Sequence, residues 1–436
     1  MGLSTRLFGD DAALLSNRSF QLLLLASVSS PLGSSVVSPV LDSLRGPLGA
    51  TEAQVALLMA AFTAPAIVCI PLVGMLSDRY GRKPVLTAGL TLFGLAGIAI
   101  PLTTEFRVVV GLRLLQGVGY TGIAPVLITS VGDLFDGDRE AAAQGLRFTT
   151  VGLSLTVFPL LAGALVALSW RYPFYLFALA LPTALAVALF FDDPTLDSEG
   201  AGDTVETATN GGEATEDTSP PDDDSPSTLQ ALSVVLRNRR VAATLLGRAV
   251  PSFLWFTFLT YVSIVVARVL GGSAGEAGVL VALASVASSV SATQVGRLTA
   301  AFDRRAIPLF ATLVCTAVGV AALGLSPSLP VAGLGSVAVG AGFGVVLSLY
   351  RSTISTLATD ELRGSLVSVG ESLGRVGSTT APILLGGTVA LLEPRLGSVV
   401  AIRSMLVGVA VLTVVVGGFF LYLGETGDGR SVTGEA

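Results

Sequence analysis

Twelve apolar runs constrain this chain more than any other feature. They cover residues 19–42, 51–76, 84–103, 106–133, 141–168, 171–191, 241–268, 275–300, 306–326, 330–357, 364–392 and 397–423. Most exceed the roughly 20 residues that a helix needs to cross a bilayer, so tilt or extension beyond the membrane is expected. Inside hydrocarbon every backbone N–H and C=O needs a partner within the protein, and a helix supplies one for each. The runs therefore predict an all-α membrane protein with twelve transmembrane helices. The 50 glycines suit helices that pack closely in lipid.

Charge placement predicts orientation. Fourteen of the 25 Lys and Arg residues fall on segments at one face, among them Arg18, Arg79, Arg82, Lys83, Arg139, Arg304, Arg305 and Arg363. Six fall on the other, namely Arg45, Arg107, Arg171, Arg268, Arg395 and Arg403. Cytoplasmic loops carry the excess of cations, so both termini are expected in the cytoplasm. Residues 192–228 break the apolar pattern with twelve acidic residues, no basic one and four prolines. Such a segment has too little apolar surface to order itself. It predicts a disordered cytoplasmic linker, with a regulatory tether as the alternative. The halves on either side are residues 19–191 and 229–423, with cytoplasmic ends at 1–18 and 424–436. Ser227-Thr-Leu-Gln230 has capping-box spacing and predicts a short helix running into Arg237, Arg239 and Arg240.

The stretch Gly74-Met-Leu-Ser-Asp-Arg-Tyr-Gly-Arg-Lys-Pro84 packs Asp78, Arg79, Arg82 and Lys83 into six residues, although only 13% of the chain is charged. Gly74 and Gly81 are expected to permit a tight turn, and Pro84 suits the first turn of the next helix. A gapless copy, Gly296 to Arg305, recurs in the second half. It keeps both terminal cations, Arg304 and Arg305, and has Ala300 in place of Asp78. Arg139 likewise corresponds to Arg363, each followed by a span with a proline, Pro159 or Pro382.

Residues 74–83 resemble motif A of the major facilitator superfamily, G-x-L-x-D-R-x-G-R-[KR]. The resemblance implies two pseudo-symmetric six-helix bundles, a substrate held near the midplane between them, and alternating access. It also implies a gating role for Gly74, Asp78, Arg79, Gly81, Arg82 and Lys83. Asp78 is expected to meet the opposite half near the start of the eleventh span, where a helix N-terminus favours negative charge.

Arg113 lies well inside the fourth span, where a charge costs about 2.5–3.5 kcal/mol on insertion scales. Arg113, Gln116, Gly117 and Tyr120 share one helical face. The stretch is similar to motif B, R-x-x-Q-G, whose Arg is linked to proton coupling in drug:H⁺ antiporters. The alternative is an Arg that pins helices through backbone carbonyls. Asp42 closes the first span and reads as an ion-pair partner of Arg45, or else as a carboxylate that exchanges protons. Glu371 and Arg375 have i, i+4 spacing that predicts a pair, with Arg351 able to join it. These residues, with Asp133, Arg147 and Arg248, are expected to form cytoplasmic gate salt bridges. The same three arginines of the second half, with Arg113, outnumber Glu371, which suits carboxylates or phosphates.

Gly145, Gly152, Pro159 and Gly163 are similar to a thin motif C, and Gly377, Pro382, Gly386 and Gly387 are arranged similarly; close helix packing is expected at both. Trp255, Phe256 and Phe258 read as core or lipid-facing residues, with an aromatic pocket as the alternative.

The chain has no histidine, and Cys69 and Cys315 lie inside apolar runs. It has no metal-ligand spacing, phosphate-binding loop or nucleophile elbow. No enzyme, ATP-driven pump, cofactor or nucleic-acid partner is therefore expected. The resemblance to the drug:H⁺ branch implies secondary active export of a small organic molecule by proton antiport, in the cell membrane and as a monomer. The alternative is an organic-anion carrier with an Arg-rich cavity; a membrane scaffold without transport is a third reading.

Overall fold

The computed structural model describes residues 14–193, 238–302, 304–357 and 360–426, except for the side chains at 355 and 360–365. Among the described residues, twelve helices are long and apolar enough to cross a membrane. They are α1 (Arg18–Val40), α2 (Glu52–Tyr80), α3 (Arg82–Leu102), α4 (Phe106–Leu134), α5 (Gly137–Val166) and α6 (Tyr172–Phe190) in the first half. The second half holds α7 (Arg239–Arg268), α8 (Ala274–Ala292), α9 (Ala306–Leu325), α10 (Leu329–Ile354), α11 (Asp360–Leu396) and α12 (Ser398–Thr426). Each coincides with one apolar run, with ends moved by a few residues, except that α8 stops at Ala292, well short of the end of its run at 300, and Val295–Ala301 forms a separate short helix. The segment 194–228, the capping-box stretch and Asp303 of the repeat lie outside the described residues.

Prolines explain several interruptions. In α1 the chain breaks near Pro31 and Pro39 into short turns at Leu32–Ser35 and Ser38–Val40. Helix α2 breaks at Ala64, just before Pro65. A ring without an N–H removes one helical bond, and neighbouring helices tolerate the kink. The turn between α2 and α3 uses Gly81, whose φ of 88° favours glycine. Gly74, by contrast, lies inside α2 with open space beside it, so it takes no part in that turn. Pro84 sits in the first turn of α3, as expected.

Within the first half α3 packs on α4 and α6; within the second α9 packs on α10 and α12. The halves meet along α5 with α8, α2 with α11, and the end of α1 with α7. Small residues permit this. A Cβ on Gly278 of α8 would run into the Pro159 carbonyl of α5, and one on Gly163 would come within 2.6 Å of the Ala274 carbonyl. The motif C-like face of α5 is thus a seam between the halves, although Gly145 faces open space. Leu185 and Leu189 of α6, and Val411, Leu412, Val415 and Phe419 of α12, are exposed. On a membrane protein this outward apolar surface belongs to lipid.

Candidate functional site

A cavity of about 200 Å³ lies between the halves. Helix periodicity explains who lines it. Arg248, Ser252 and Trp255 form one stripe on α7, Phe343, Leu347 and Arg351 one on α10, and Glu371, Arg375 and Ser378 one on α11. The first half adds Ser30 and Ser34 from α1, Phe62 from α2, Tyr120 from α4 and Val151 and Leu155 from α5. Trp255 stacks flat on Phe343, with ring centroids 4.5 Å apart and planes 10° apart.

The charges form a cluster around one carboxylate. Arg351 Nε donates to Glu371 Oε1 at 2.8 Å. Arg248 Nη2 donates to Glu371 Oε2 at 3.3 Å, and its Nη1 to Ser252 Oγ at 2.7 Å. Arg375 does not form the expected pair with Glu371. Its Nη2 instead donates across the halves to the Tyr120 hydroxyl at 3.3 Å, with the guanidinium over the Tyr120 ring. Two arginines from other helices have taken the carboxylate, and tertiary geometry overrides the i, i+4 spacing. Arg147 lies on the α5 face of Val151 and Leu155, one turn toward the 74–84 loop. It is only 5% exposed. Its Nε donates to Gln144 Oε1 at 2.9 Å and its guanidinium covers the Phe148 ring. Nη2 has no hydrogen-bond partner among the described residues.

The cavity is sealed on the face opposite the 74–84 loop. Arg268 Nε of α7 donates to Asp42 Oδ1 of the first half at 3.0 Å, and Arg45 approaches the same oxygen at 3.5 Å. Arg45 also pairs with buried Glu52 at 2.9 Å, and Ser398 of α12 donates to that carboxylate at 3.0 Å. Ser38 Oγ donates to the Leu259 carbonyl at 2.5 Å. Nearer the middle, Thr379 donates to Thr63 at 2.9 Å. On the 74–84 face the described ion pairs stay within one half. Bonds between the halves thus close the cavity on one face, and among the described residues no ion pair crosses the halves on the 74–84 face.

The model of the Major Facilitator Superfamily matches residues 23–382. The chain belongs to that superfamily. It is 37% identical over 147 residues to the Bacillibactin exporter of Bacillus subtilis (strain 168), which covers 32% of this chain and 36% of that protein. It is 29% identical over 144 residues to the Quinolone resistance protein NorA of Staphylococcus aureus (strain Mu50 / ATCC 700699), covering 33% and 37%. The match spans about a third of the length of these curated relatives. Among solved structures, a bacterial homolog of the human lysosomal transporter Spinster superposes with a TM-score of 0.76 at 17% identity, covering 93% of this chain and 96% of that one. The D-xylose-proton symporter gives 0.68 at 15% identity, covering 91% and 96%.

The superfamily's motif A holds together within its own half here. Arg82 donates to Asp78 Oδ1 at 2.6 Å, to Ser77 at 2.8 Å and to Asp133 Oδ2 of α4 at 2.9 Å. Asp78 is 69% exposed, and its described partner is Arg82 rather than a group on α11. The side chains at 360–365, where the contact was expected, lie outside the described residues. Asp133 therefore serves the motif A cluster instead of a bridge between halves. Arg79 lies over the Tyr80 ring.

Arg113 is 1% exposed and does not line the cavity. Its Nε donates to the Leu58 carbonyl at 3.0 Å, Nη2 to the Gly33 carbonyl at 2.8 Å and Nη1 to Gln116 Oε1 at 2.5 Å. It ties α4 to α2 and to the break in α1, and its guanidinium covers the Phe62 ring. Asp42 has Arg45 as expected, and Arg268 as a further partner across the halves.

Sequence reasoning ranked one feature second, the aromatic pocket, and missed another, the role of Asp193. Trp255 and Phe256 line the cavity, whereas Phe258 is core. Asp193, at the start of the acidic segment, accepts from the Lys83 backbone N–H at 2.7 Å. It caps the start of α3 from a distance of 110 residues. Asp193→Ala is expected to lower stability by about 0.5–2 kcal/mol, the usual cost of losing an N-cap, seen as a lower thermal midpoint of the purified chain.

Proposed function

We propose that the protein is a secondary active transporter that exports a small organic molecule by alternating access. The observation that carries this reading is the central cavity between the halves, sealed on one face by bonds between them and crossed by no described ion pair on the other. The 74–84 face carries the cation surplus and is read as cytoplasmic, so the cavity here is open inward. Both termini then lie in the cytoplasm, the halves 19–191 and 229–423 rock as bodies, and 192–228 links them. The protein is read as a monomer of the cell membrane. The relatives named as exporter and resistance protein support the outward direction. Proton antiport is the proposed drive, in keeping with the likeness of residues 113–117 to motif B.

Purified protein in liposomes, with an imposed proton gradient and a panel of cationic, neutral and anionic fluorescent compounds, tests this. Gradient-dependent movement of at least one compound, abolished by a protonophore, is expected. No movement of any compound would count against transport; movement that ignores the protonophore would remove the proton alone.

The Asp78–Arg82 pair suggests how motif A works. In the outward-open state Asp78 would leave Arg82 for the N-terminus of α11. Asp78→Asn is then expected to reduce outside labelling of Ser34→Cys, in a background with Cys69 and Cys315 replaced by serine. Equal labelling in variant and parent would refute this latch.

A further inference from the structure

The bonds that seal the face opposite the 74–84 loop are unequal. Arg268 and Asp42 bridge the halves, but their side chains are 44% and 17% exposed, and a pair so open to water contributes little. Glu52 is 2% exposed. Its Oε1 accepts from Arg45 Nη1 of its own half at 2.9 Å and from Ser398 Oγ of the other half at 3.0 Å. A hydrogen bond to a buried charge is among the strong ones. Local sequence places both partners. Thr51 caps α2 in a capping box with Gln54, so Glu52 is the first residue of that helix. A Cβ on Gly386 of α11 would lie 3.2 Å from the Ala53 carbonyl, so α11 backs closely on the same first turn. Gly397, at a φ of 77° that favours glycine, turns the chain between α11 and α12 and makes Ser398 the first residue of α12. Glu52 therefore meets the N-terminus of a 29-residue helix. The first N–H groups there have no partners within the helix, and its dipole favours negative charge. Glu52 Oε2 is buried without a described hydrogen-bond partner, so Oε1 carries the hold on the second half.

We infer that Glu52 is the latch of the outer face: its bond to the first residue of α12 holds the inward-open state, and the halves break that bond before the cavity opens outward. This rests on the transporter reading and adds a positioning residue to its cycle. Glu52 does not line the cavity, so it acts through the helix ends and not through the substrate. Arg45 keeps the carboxylate in place from within the first half, and Asp42 lies on the other side of Arg45. When the halves part, Glu52 keeps this arginine and is not stranded. The cost of opening is then the lost Ser398 bond and the lost interaction with the end of α12, and the two states differ by that amount at this face. The latch expected of Asp78 at the start of α11 follows the same chemistry on the opposite face and in the opposite state.

The test is the rate at which a membrane-impermeant maleimide, applied outside intact cells, labels Ser34→Cys in the full chain with Cys69 and Cys315 replaced by serine. Ser34 lines the cavity, so its labelling from outside reports the outward-open population. Glu52→Gln should raise the rate about tenfold, the population shift that follows from losing a hydrogen bond to a charged group. Ser398→Ala should raise it in the same direction, and the double variant no further than Glu52→Gln, because both changes remove one bond. Arg268→Gln should raise it by less than about fivefold, as suits a pair partly open to water. Three results would overturn the latch: a rate in Glu52→Gln equal to or below that of the parent, a larger rise in Arg268→Gln than in Glu52→Gln, or a double variant whose effects add. Where Glu52→Gln folds poorly, Ser398→Ala decides, since it leaves the ion pairs of the first half intact; an unchanged rate there would also overturn the latch. Labelling needs no substrate, so it is independent of the liposome panel. Movement of a compound with unchanged labelling keeps the transporter reading and removes the latch; faster labelling with no movement does the reverse.

Discussion

Arg113→Ala is expected to cost about 2–5 kcal/mol of stability. The figure follows from opposing terms. Three hydrogen bonds from a charged donor are worth about 1.5–3 kcal/mol each. Removing a charge from the membrane interior returns about 2.5–3.5 kcal/mol. The bonds win because three of them stand against one insertion cost, and the Gly33 carbonyl sits at the break in α1, where helical donors are missing. Without Arg113 the buried Gly33 carbonyl and the Gln116 amide oxygen would lose this donor. The expected result is a markedly lower thermal midpoint in detergent and a smaller monodisperse fraction. Arg113→Lys should fall between, since one ammonium cannot reach three acceptors in a planar fork. The structural role and a role in proton coupling separate cleanly. A variant that melts like the parent but no longer responds to the proton gradient would show that Arg113 acts in coupling and not in holding the fold.

The apolar runs made the helices legible because a bilayer leaves the backbone so few solutions. Twelve runs became twelve helices, and the repeat of Gly74 to Lys83 at Gly296 to Arg305 pointed to two halves. Local chemistry was legible too, as with Gly81 at the turn and Pro84 in the first turn of α3. Partner choice was not. Spacing along α11 offered Arg375 to Glu371, but α7 and α10 brought Arg248 and Arg351 closer, and Arg375 reached a tyrosine in the other half. Motif A was read as a latch between halves; the described partner of Asp78 is Arg82 of its own half, and the side chains at 360–365, where the other contact was expected, lie outside the described residues. Trp255 was read as packing because the part of α7 that holds it, Ala249–Arg268, is apolar on nearly every side. The stripe of Arg248, Ser252 and Trp255 could have exposed its cavity face, since polar residues one turn apart on a buried helix need a common wet space.

Glu371 carries the other large effect, and its direction depends on what is left behind. Arg248 is 3% exposed, and Glu371 is its described carboxylate partner. Glu371→Leu leaves that guanidinium buried with Ser252 alone, and breaking a buried pair in this way costs about 3–5 kcal/mol. The thermal midpoint of the single variant should fall accordingly. Adding Arg248→Met removes the stranded charge, and the double variant should recover most of the loss, because two apolar side chains of similar volume often replace a buried pair without penalty. Arg351, partly exposed at the opening, can turn to water once its partner is gone and adds little to the deficit. A strongly non-additive cycle is therefore expected, with the double variant more stable than Glu371→Leu. Additive losses would mean that Arg248 and Glu371 contribute through separate contacts. Transport in the double variant separates stability from function. A chain that folds like the parent yet moves no substrate would place this pair in the working cavity, since the seal on the opposite face, built from Asp42, Arg268, Glu52 and Ser398, is untouched by either change.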